Sequence, residues 1–513
     1  MSSRAGRRVA AVWTTACLLT GLVPPAATHA AQIPTPAAAA ATRDPSPMAS
    51  TSLGPPPQYK SLATDILREL IAIDSVEPAG SLECVNAIAA RLRAGGFGSG
   101  SLQILAPPGH PEKANLIVRI RGRTLAKPLL WTAHLDVVAA DPANWTVPPF
   151  KLTEAGGWYY GRGTGDMKGE VATLVTALIR LRAEKVVPRH DLIVAFTADE
   201  EAAGHWNGVR WLLGTHPEVI EAGVAFNPDT SGSWMRGGRP LMLGIETAEK
   251  TYATFTLSAL GAGGHSSQPG PDNAIERLSA AVLRIGGHRF PVRLTPAARD
   301  FLSVDADFEP PAIANDIRAV LAGPAHSEAA AAAERLSARP DLNAQLRTTC
   351  VVTLINGGSA ENALPQRAAA TLQCRLLPGD SAADIRQVLQ DTAADASVTV
   401  TLTRPVFESP ETVADPAVVR AIGTTVHEMW PNVRILLNMQ AGGSDAIFTR
   451  AAGIATYGVT SIFADADENR HHGSDERISI QAFQQGVEFT YRLMRRLDQR
   501  LDPAAAPRGS TQP

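Results

Sequence analysis

The chain has 513 residues, 45% hydrophobic and 19% charged, long enough for two or three domains that each bury a core. Aromatic content is only 5%, but alanine and aliphatic residues are abundant enough to exclude wholesale disorder. Lys+Arg 47 against Asp+Glu 50 gives a net charge of −3, so the basic excess that neutralises phosphates is missing and no nucleic-acid partner is expected.

Residues 1–30 read as a signal peptide. Arg4, Arg7 and Arg8 precede an apolar stretch over 9–23, and Thr28-His29-Ala30 supplies the small residues of a cleavage site. Thr14, Thr15 and Thr20 interrupt the run and Pro24-Pro25 ends it, short of the roughly 20 apolar residues of a membrane span. The expected location is secreted or periplasmic, with no membrane association after cleavage. A Pro/Ala-rich linker follows over 31–57, and a disordered tail is expected over 501–513.

Helical spacing marks 61–72 and 82–94, the second stopped by Gly95-Gly96. Short apolar runs at 116–120, 129–132, 192–197 and 223–226 then alternate with helical patterns such as 169–185. Runs of this kind suit strands buried on both faces of an α/β layer. After Glu246 the character changes: 252–259 alternates like a half-exposed strand, 273–285 is helical, 350–355 and 369–376 are strands, and 382–394 is helical. The stretch 288–347 reads as an insertion within that second unit. Beyond Pro405 the first pattern resumes, with a helix at 417–429, a strand at 455–459 and a final helix at 480–497. The expected organisation is a mixed-sheet α/β catalytic domain in two parts, 58–246 and 405–500, with a smaller α+β lid or dimerisation domain inserted over 247–404.

In open α/β sheets, ligands bind beyond the carboxyl ends of the strands. The residues there are His134-Leu135-Asp136, Asp166 within Gly161-Arg162-Gly163-Thr164-Gly165-Asp166-Met167-Lys168-Gly169, Asp199-Glu200-Glu201, Asn227-Pro228-Asp229, and His471-His472-Gly473-Ser474-Asp475-Glu476. Taken singly, each has an ordinary structural explanation: a hydrogen-bonded histidine, a solvated turn, a helix-capping acid. Together they make a metal site of imidazole and carboxylate ligands, the donors that suit zinc. Two metals about 3.5–4 Å apart need one carboxylate between them, and a second carboxylate outside the ligand shell must take the proton of the attacking water. Adjacent side chains of an extended segment point apart, so Glu200-Glu201 can do both kinds of work.

These motifs resemble the zinc aminoacylase / acetylornithine deacetylase / succinyl-diaminopimelate desuccinylase / glutamate carboxypeptidase family, in the family's order and over about 59–497. The resemblance implies an amide hydrolase with two zinc ions, cobalt or manganese being substitutes. By matching motifs, His134 and Asp229 would hold one ion, Glu201 and His472 the other, and Asp166 would bridge them. Glu200 would be the general base and Asp136 the carboxylate that orients His134. His265, within Gly263-Gly264-His265-Ser266-Ser267, would stabilise the oxyanion, often from a partner subunit, so a homodimer through the inserted domain is implied. Asn362, Arg375 and the loop Gly442-Gly443 would contact substrate, a peptide or an N-acyl amino acid with a free carboxylate. Asp229 is chosen over Asn227 because an anionic oxygen balances metal charge better. The alternative is a non-catalytic exported binding protein with the same fold, though such a protein has no need of a base at Glu200. No Gly-x-Ser-x-Gly elbow supports a serine triad.

Three cysteines follow the signal peptide: Cys84, Cys350 and Cys374. Cys350 and Cys374 are symmetric about Asn362, which would put them opposite one another in a hairpin. They can bridge there or remain two packed free thiols, and spacing leaves both readings open.

Overall fold

The computed structural model describes residues 53–501, apart from 203–205, 231 and 469. The signal peptide, most of the linker and nearly all of the C-terminal tail lie outside the described residues. The end of the linker does not: Leu53 packs on the core and the first helix, Pro57–Ala72, starts at Pro57.

The main layer is a ten-stranded mixed sheet. At its centre Leu192–Thr197, Leu129–His134, Val224–Asn227 and Ala455–Gly458 run parallel in that spatial order. Every residue of Leu129–His134 and Leu192–Thr197 is buried, as their unbroken apolar runs require, because helices cover both faces. On one face Lys168–Ala183 is sandwiched between Pro57–Ala72 and Ile480–Arg500, and Leu82–Ala94 and Pro416–Met429 complete the layer. On the other, Leu212, Val219 and Ile220 from two short helices close over Ile117, Leu130, Ile193 and Ala225.

A long strand, Arg239–Glu249, joins the sheet antiparallel to Ala455–Gly458 and parallel to Arg434–Gln440. It runs on to Glu249, past the boundary expected at 246, with Ala248 and Glu249 still in register with Met439 and Gln440. In both strands charged or polar residues cut the apolar run short, leaving 241–245 in one and 435–437 in the other. Arg239–Glu249 carries Glu246 and Glu249 fully inside the protein, where their partner is Arg450.

The chain then builds a separate antiparallel sheet in the order Thr349–Gly357, Arg367–Leu376, Thr251–Leu260, Val398–Leu402. Alternate residues Ala368, Ala370, Leu372, Cys374 and Leu376 point to one face, which helices Ala274–Gly287 and Ala382–Ala393 cover. The hairpin symmetry brings Cys350 opposite Cys374, and the two form a disulfide.

The segment expected to be an insertion in this second unit behaves differently. Its helices Pro296–Asp305, Pro311–Leu321, Ala329–Leu336 and Pro340–Leu346 share a small core of their own around Leu302, Ile317, Leu336 and Leu346. The first of them lies on the main sheet, packing Ala297 and Ala298 against Ala248 and Met439. Asp300 also accepts the Leu437 N–H at 2.5 Å, so the segment covers an edge strand that would otherwise present unpaired amides. No helix among the described residues is long and apolar enough to cross a membrane.

Candidate metal centre and its surroundings

The parallel centre of the sheet aims four strand ends at one rim. His134 ends its strand in register with Thr197, and the neighbouring strands end at Asn227 and Gly458. Asp136, Glu200-Glu201, Asp229 and the loop carrying His472 therefore converge there, although His472 lies 336 positions beyond Asp136 in the chain.

Asp166 sits between two imidazoles. Its Oδ1 lies 3.1 Å from His134 Nε2 and its Oδ2 lies 3.0 Å from His472 Nε2. Glu201 Oε1 is 2.9 Å from the same His472 nitrogen, and Asp229 Oδ2 is 3.9 Å from His134 Nε2. Two groups, His134 with Glu200 and Asp229, and His134 with Asp166 and Glu201, each keep their donor atoms within 4.8 Å of one another. Asn227 is engaged elsewhere: its amide donates to Ser444 and its oxygen accepts the Asp229 N–H.

Buried groups around the cluster hold these atoms in place. Asp136 does not orient His134 with its carboxylate, which stands 3.9 Å from Nδ1; its backbone carbonyl accepts from Nδ1 at 3.0 Å. That contact leaves Nε2 free for the cluster side. The Asp136 carboxylate accepts instead from the backbone N–H groups of Glu200 at 3.1 Å and Glu201 at 2.9 Å, setting the turn that carries both acids. Glu476, fully buried, accepts from the N–H groups of Gly163, Gly165 and Asp166, and pairs with Arg162 at 2.6 Å. Arg162 in turn donates to the carbonyls of His472 and Gly473. The glycine-rich motif and the late histidine motif are thus one clip. Gly163 takes φ +87°, and a Cβ there would meet Val137 Cγ1 at 2.8 Å, so glycine is needed for this loop to close. Glu170, whose pattern reads only as a helix interior, accepts from Thr460, Ser461 and Ile462 and ties down the loop after the last parallel strand.

Electrostatics test whether the donors fit metal ions. Burial, with the charges of Asp166 and Glu201 added, pushes Asp229 well above the usual carboxylate range, and burial does the same to Glu200 beside Asp229 and Asp445. Hydrogen bonds to the Asp166 and Glu201 carboxylates push His472 up to about 10. Burial opposes ionisation of Asp166, but the two histidines outweigh it and hold that group well below the ordinary range. Asp229, Glu200 and the imidazoles of His134 and His472 thus all draw protons, because the gathered acids lack balancing positive charge. Divalent cations supply that charge, and oxygen and nitrogen donors with one shared carboxylate are what a metal pair requires.

The substrate-side residues divide into two groups. Arg375 reaches the loop after Arg434–Gln440: its guanidinium is 3.7 Å from where a Cβ on Gly443 would stand, and it stacks 4.8 Å from the Tyr252 ring centre. Gly442 faces Gln440 instead. His265 and Asn362 are brought together at the tip of the second sheet, where Gly264–His265 pairs with Ala363–Leu364 and Ser266 N–H donates to the Asn362 carbonyl. Both are exposed, and His265 Nδ1 accepts from Ser267. Among the described residues no hydrogen bond or ion pair joins either to the cluster. Sequence reasoning passed over Glu170, Glu246, Glu249 and Arg450; buried charges in apolar surroundings leave no periodic trace, and only their rarity inside a strand or helix is a signal.

Comparison with known proteins agrees with this arrangement. The family model described as Peptidase family M20/M25/M40 matches residues 130–496. The human N-fatty-acyl-amino acid synthase/hydrolase PM20D1 is 28% identical over 394 residues, covering 74% of this chain and 76% of its own. Among solved structures, the M20 family metallo-carboxypeptidase Sso-CP2 of Sulfolobus solfataricus superimposes with a TM-score of 0.62 at 17% identity, covering 85% of this chain and 99% of that one. The Bacillus subtilis YXEP protein, a dinuclear metal-binding peptidase, gives 0.56 at 13% identity over 86% and 99%. The rim of acids and histidines, the inserted sheet and the match over most of the chain lead to one assignment: this protein is an enzyme of peptidase family M20/M25/M40, a metallopeptidase or amidohydrolase.

Proposed function

We infer that the enzyme hydrolyses the amide bond of an N-acyl amino acid or dipeptide bearing a free carboxylate, using two zinc ions. The observation that carries this reading is Asp166, whose two oxygens address His134 and His472 separately while Glu200 stands beside His134 and Asp229. His134, Asp229 and Asp166 would hold one ion, and His472, Glu201 and Asp166 the other. When bound, the ions supply Lewis acidity, polarising the amide carbonyl and lowering the pKa of the attacking water towards neutrality.

The chain's own residues do the rest. Glu200, beside His134 and Asp229 and outside both ligand sets, would take the water's proton and pass it to the leaving nitrogen. Asp136 holds Glu200 and Glu201 in fixed relation through their backbone N–H groups. Arg375 and the Gly443 backbone would bind the substrate carboxylate, a guanidinium fork matching it bidentately. The human relative named for N-fatty-acyl amino acids supports this substrate class.

His265 would complete an oxyanion site after movement of the second sheet or from a second chain. The edge strand Thr349–Gly357 exposes Val351, Leu354 and Ile355, and this apolar edge supports a homodimer. The N-terminal pattern supports export.

The test is a hydrolysis screen over dipeptides and N-acyl amino acids with added zinc, run on wild type, Glu200→Gln and Glu201→Gln. Glu200→Gln should retain two zinc ions and lose roughly 10²–10⁴-fold in kcat, whereas Glu201→Gln should lose metal. An active Glu200→Gln, or a Glu201→Gln that keeps both ions, would contradict the roles.

A further inference from the structure

The turn that carries Glu200 and Glu201 begins on a strained residue. Asp199, two residues beyond the buried strand Leu192–Thr197, stands at φ +67°, in the left-handed region that glycine enters freely and other residues enter at a cost. The bend there lets the next two N–H groups converge on the single carboxylate of Asp136. In an extended strand, neighbouring N–H groups point to opposite edges and cannot share one acceptor.

The Asp199 side chain is what holds the bend. The residue is 4% exposed; one oxygen accepts from the Lys113 ammonium at 2.6 Å and the other from the Trp206 N–H at 3.3 Å. Lys113 is itself buried and also donates to Glu77, whose side chain is half in solvent. A lysine is almost never buried unless paired, and these two carboxylates are its partners. The same segment takes a second grip through Asn115. Its Nδ2 donates to the Lys113 carbonyl at 3.1 Å, and its Oδ1 accepts the Ala198 N–H at 3.1 Å. Residues 113–115 thus fix both the residue before the bend and the bend itself.

The two acids of the turn depend on it unequally. A bound metal would fix Glu201, one of its ligands. Glu200 lies outside the proposed ligand sets, so the turn alone aims its side chain. A misplacement of about 1 Å caused by a change away from the chemistry can cost roughly 100-fold in rate.

We propose that Lys113 is a positioning residue for the general base: by pairing with Asp199 it holds the left-handed bend that keeps Glu200 in place. This rests on the reading of Glu200 as the base and adds a residue that none of the site motifs contains.

The experiment measures kcat, KM and bound zinc with one N-acyl amino acid for the full chain as wild type, as Lys113→Met, and as Lys113→Met combined with either Asp199→Gly or Asp199→Ala. Urea midpoints establish that each variant is folded. Lys113→Met should lose roughly 100-fold in kcat while keeping its zinc and a KM close to that of wild type. Both double variants remove the acid that Lys113→Met alone leaves buried and unpaired, so they test the bend even where the single variant fails to fold. They differ in the backbone preference of one residue. Glycine takes φ +67° freely and alanine does not, so kcat of the glycine double variant should exceed that of the alanine one by about 5–30-fold. Equal kcat in the two double variants, or a Lys113→Met enzyme with wild-type kcat, would overturn the proposal while leaving the base assignment intact. Zinc loss in step with kcat would tie Lys113 to the metal ligands instead and overturn it as well. An active Glu200→Gln would overturn the base assignment on which it rests.

Discussion

Replacing Glu476 with Gln isolates the clip that joins the two halves of the metal centre. The carboxylate is fully buried; one oxygen accepts from Arg162 and Gly163, the other from Gly165 and Asp166. An amide keeps one oxygen, so two of the four donors lose their acceptor and face an NH₂ group. Arg162, 2% exposed, is left as a buried charge without its counter-ion. Breaking a buried pair of this kind costs about 3–5 kcal/mol, a third or more of a typical domain's stability. The same change either releases the Asp166 N–H or loosens Arg162 from the His472 and Gly473 carbonyls, according to which oxygen the amide keeps, so zinc affinity should fall roughly 10–100-fold. Urea denaturation and competitive zinc titration read the two effects separately. Asp65→Asn, which breaks an Arg68–Asp65 pair with both side chains 54% exposed, is the control and should cost under about 1 kcal/mol. A Glu476→Gln variant that loses stability but binds zinc as tightly as wild type would show that the clip supports the fold alone. One unchanged in both would refute the reasoning.

Three further outcomes are expected. Burial, reinforced by Glu309 and Asp341, pushes Asp305 up to about 6, so the folded chain binds this proton more tightly than the unfolded one. Its stabilising effect is complete below about pH 4 and is lost as pH rises through about 6; Asp305→Asn should raise stability at pH 7.5 by up to about 2–3 kcal/mol and flatten that interval, and an unchanged pH–stability curve would exclude the assignment. The Cys350–Cys374 bridge, spanning 24 residues, should contribute about 3 kcal/mol to the second sheet; a paired Cys350→Ser, Cys374→Ser variant matching oxidised wild type in urea midpoint would speak against it. Amidating the substrate carboxylate should depress kcat/KM strongly in wild type and much less in Arg375→Ala, whereas equal losses would remove Arg375 from carboxylate recognition.

The parallel strands were legible because their runs, such as Leu192–Thr197, are apolar throughout, and the helices because capping and period agree, as at Leu82–Ala94. Arg239–Glu249 and Arg434–Gln440 were not, since charged or polar residues break their runs and partners distant in sequence satisfy them: Arg450 for Glu246 and Glu249, Asp300 for the Leu437 amide. The helices of Pro296–Leu346 kept their own small core but gave no sign of which sheet they would cover, because Ala297 and Ala298 pack equally well on any small-residue surface.

For the site, local chemistry in the chain was enough to nominate the acids and histidines that could hold metal, since donor type and strand-end position are local properties. Which atoms meet was not. That Asp166 divides its oxygens between His134 and His472 depends on a loop closed by Glu476 and Arg162, 314 positions apart in the chain. That Asp136 turns its carbonyl, not its carboxylate, to His134 depends on the competing claim of the Glu200 and Glu201 amides. A cavity beside the metal centre is likewise assembled from Trp158, Ser233-Trp234 and Ile462-Phe463, segments that no local pattern connects. Residue type determines what a group can do; long-range packing decides which partner it does it with, because hydrogen bonds and ion pairs act over a few ångströms and only the folded chain brings distant residues that close.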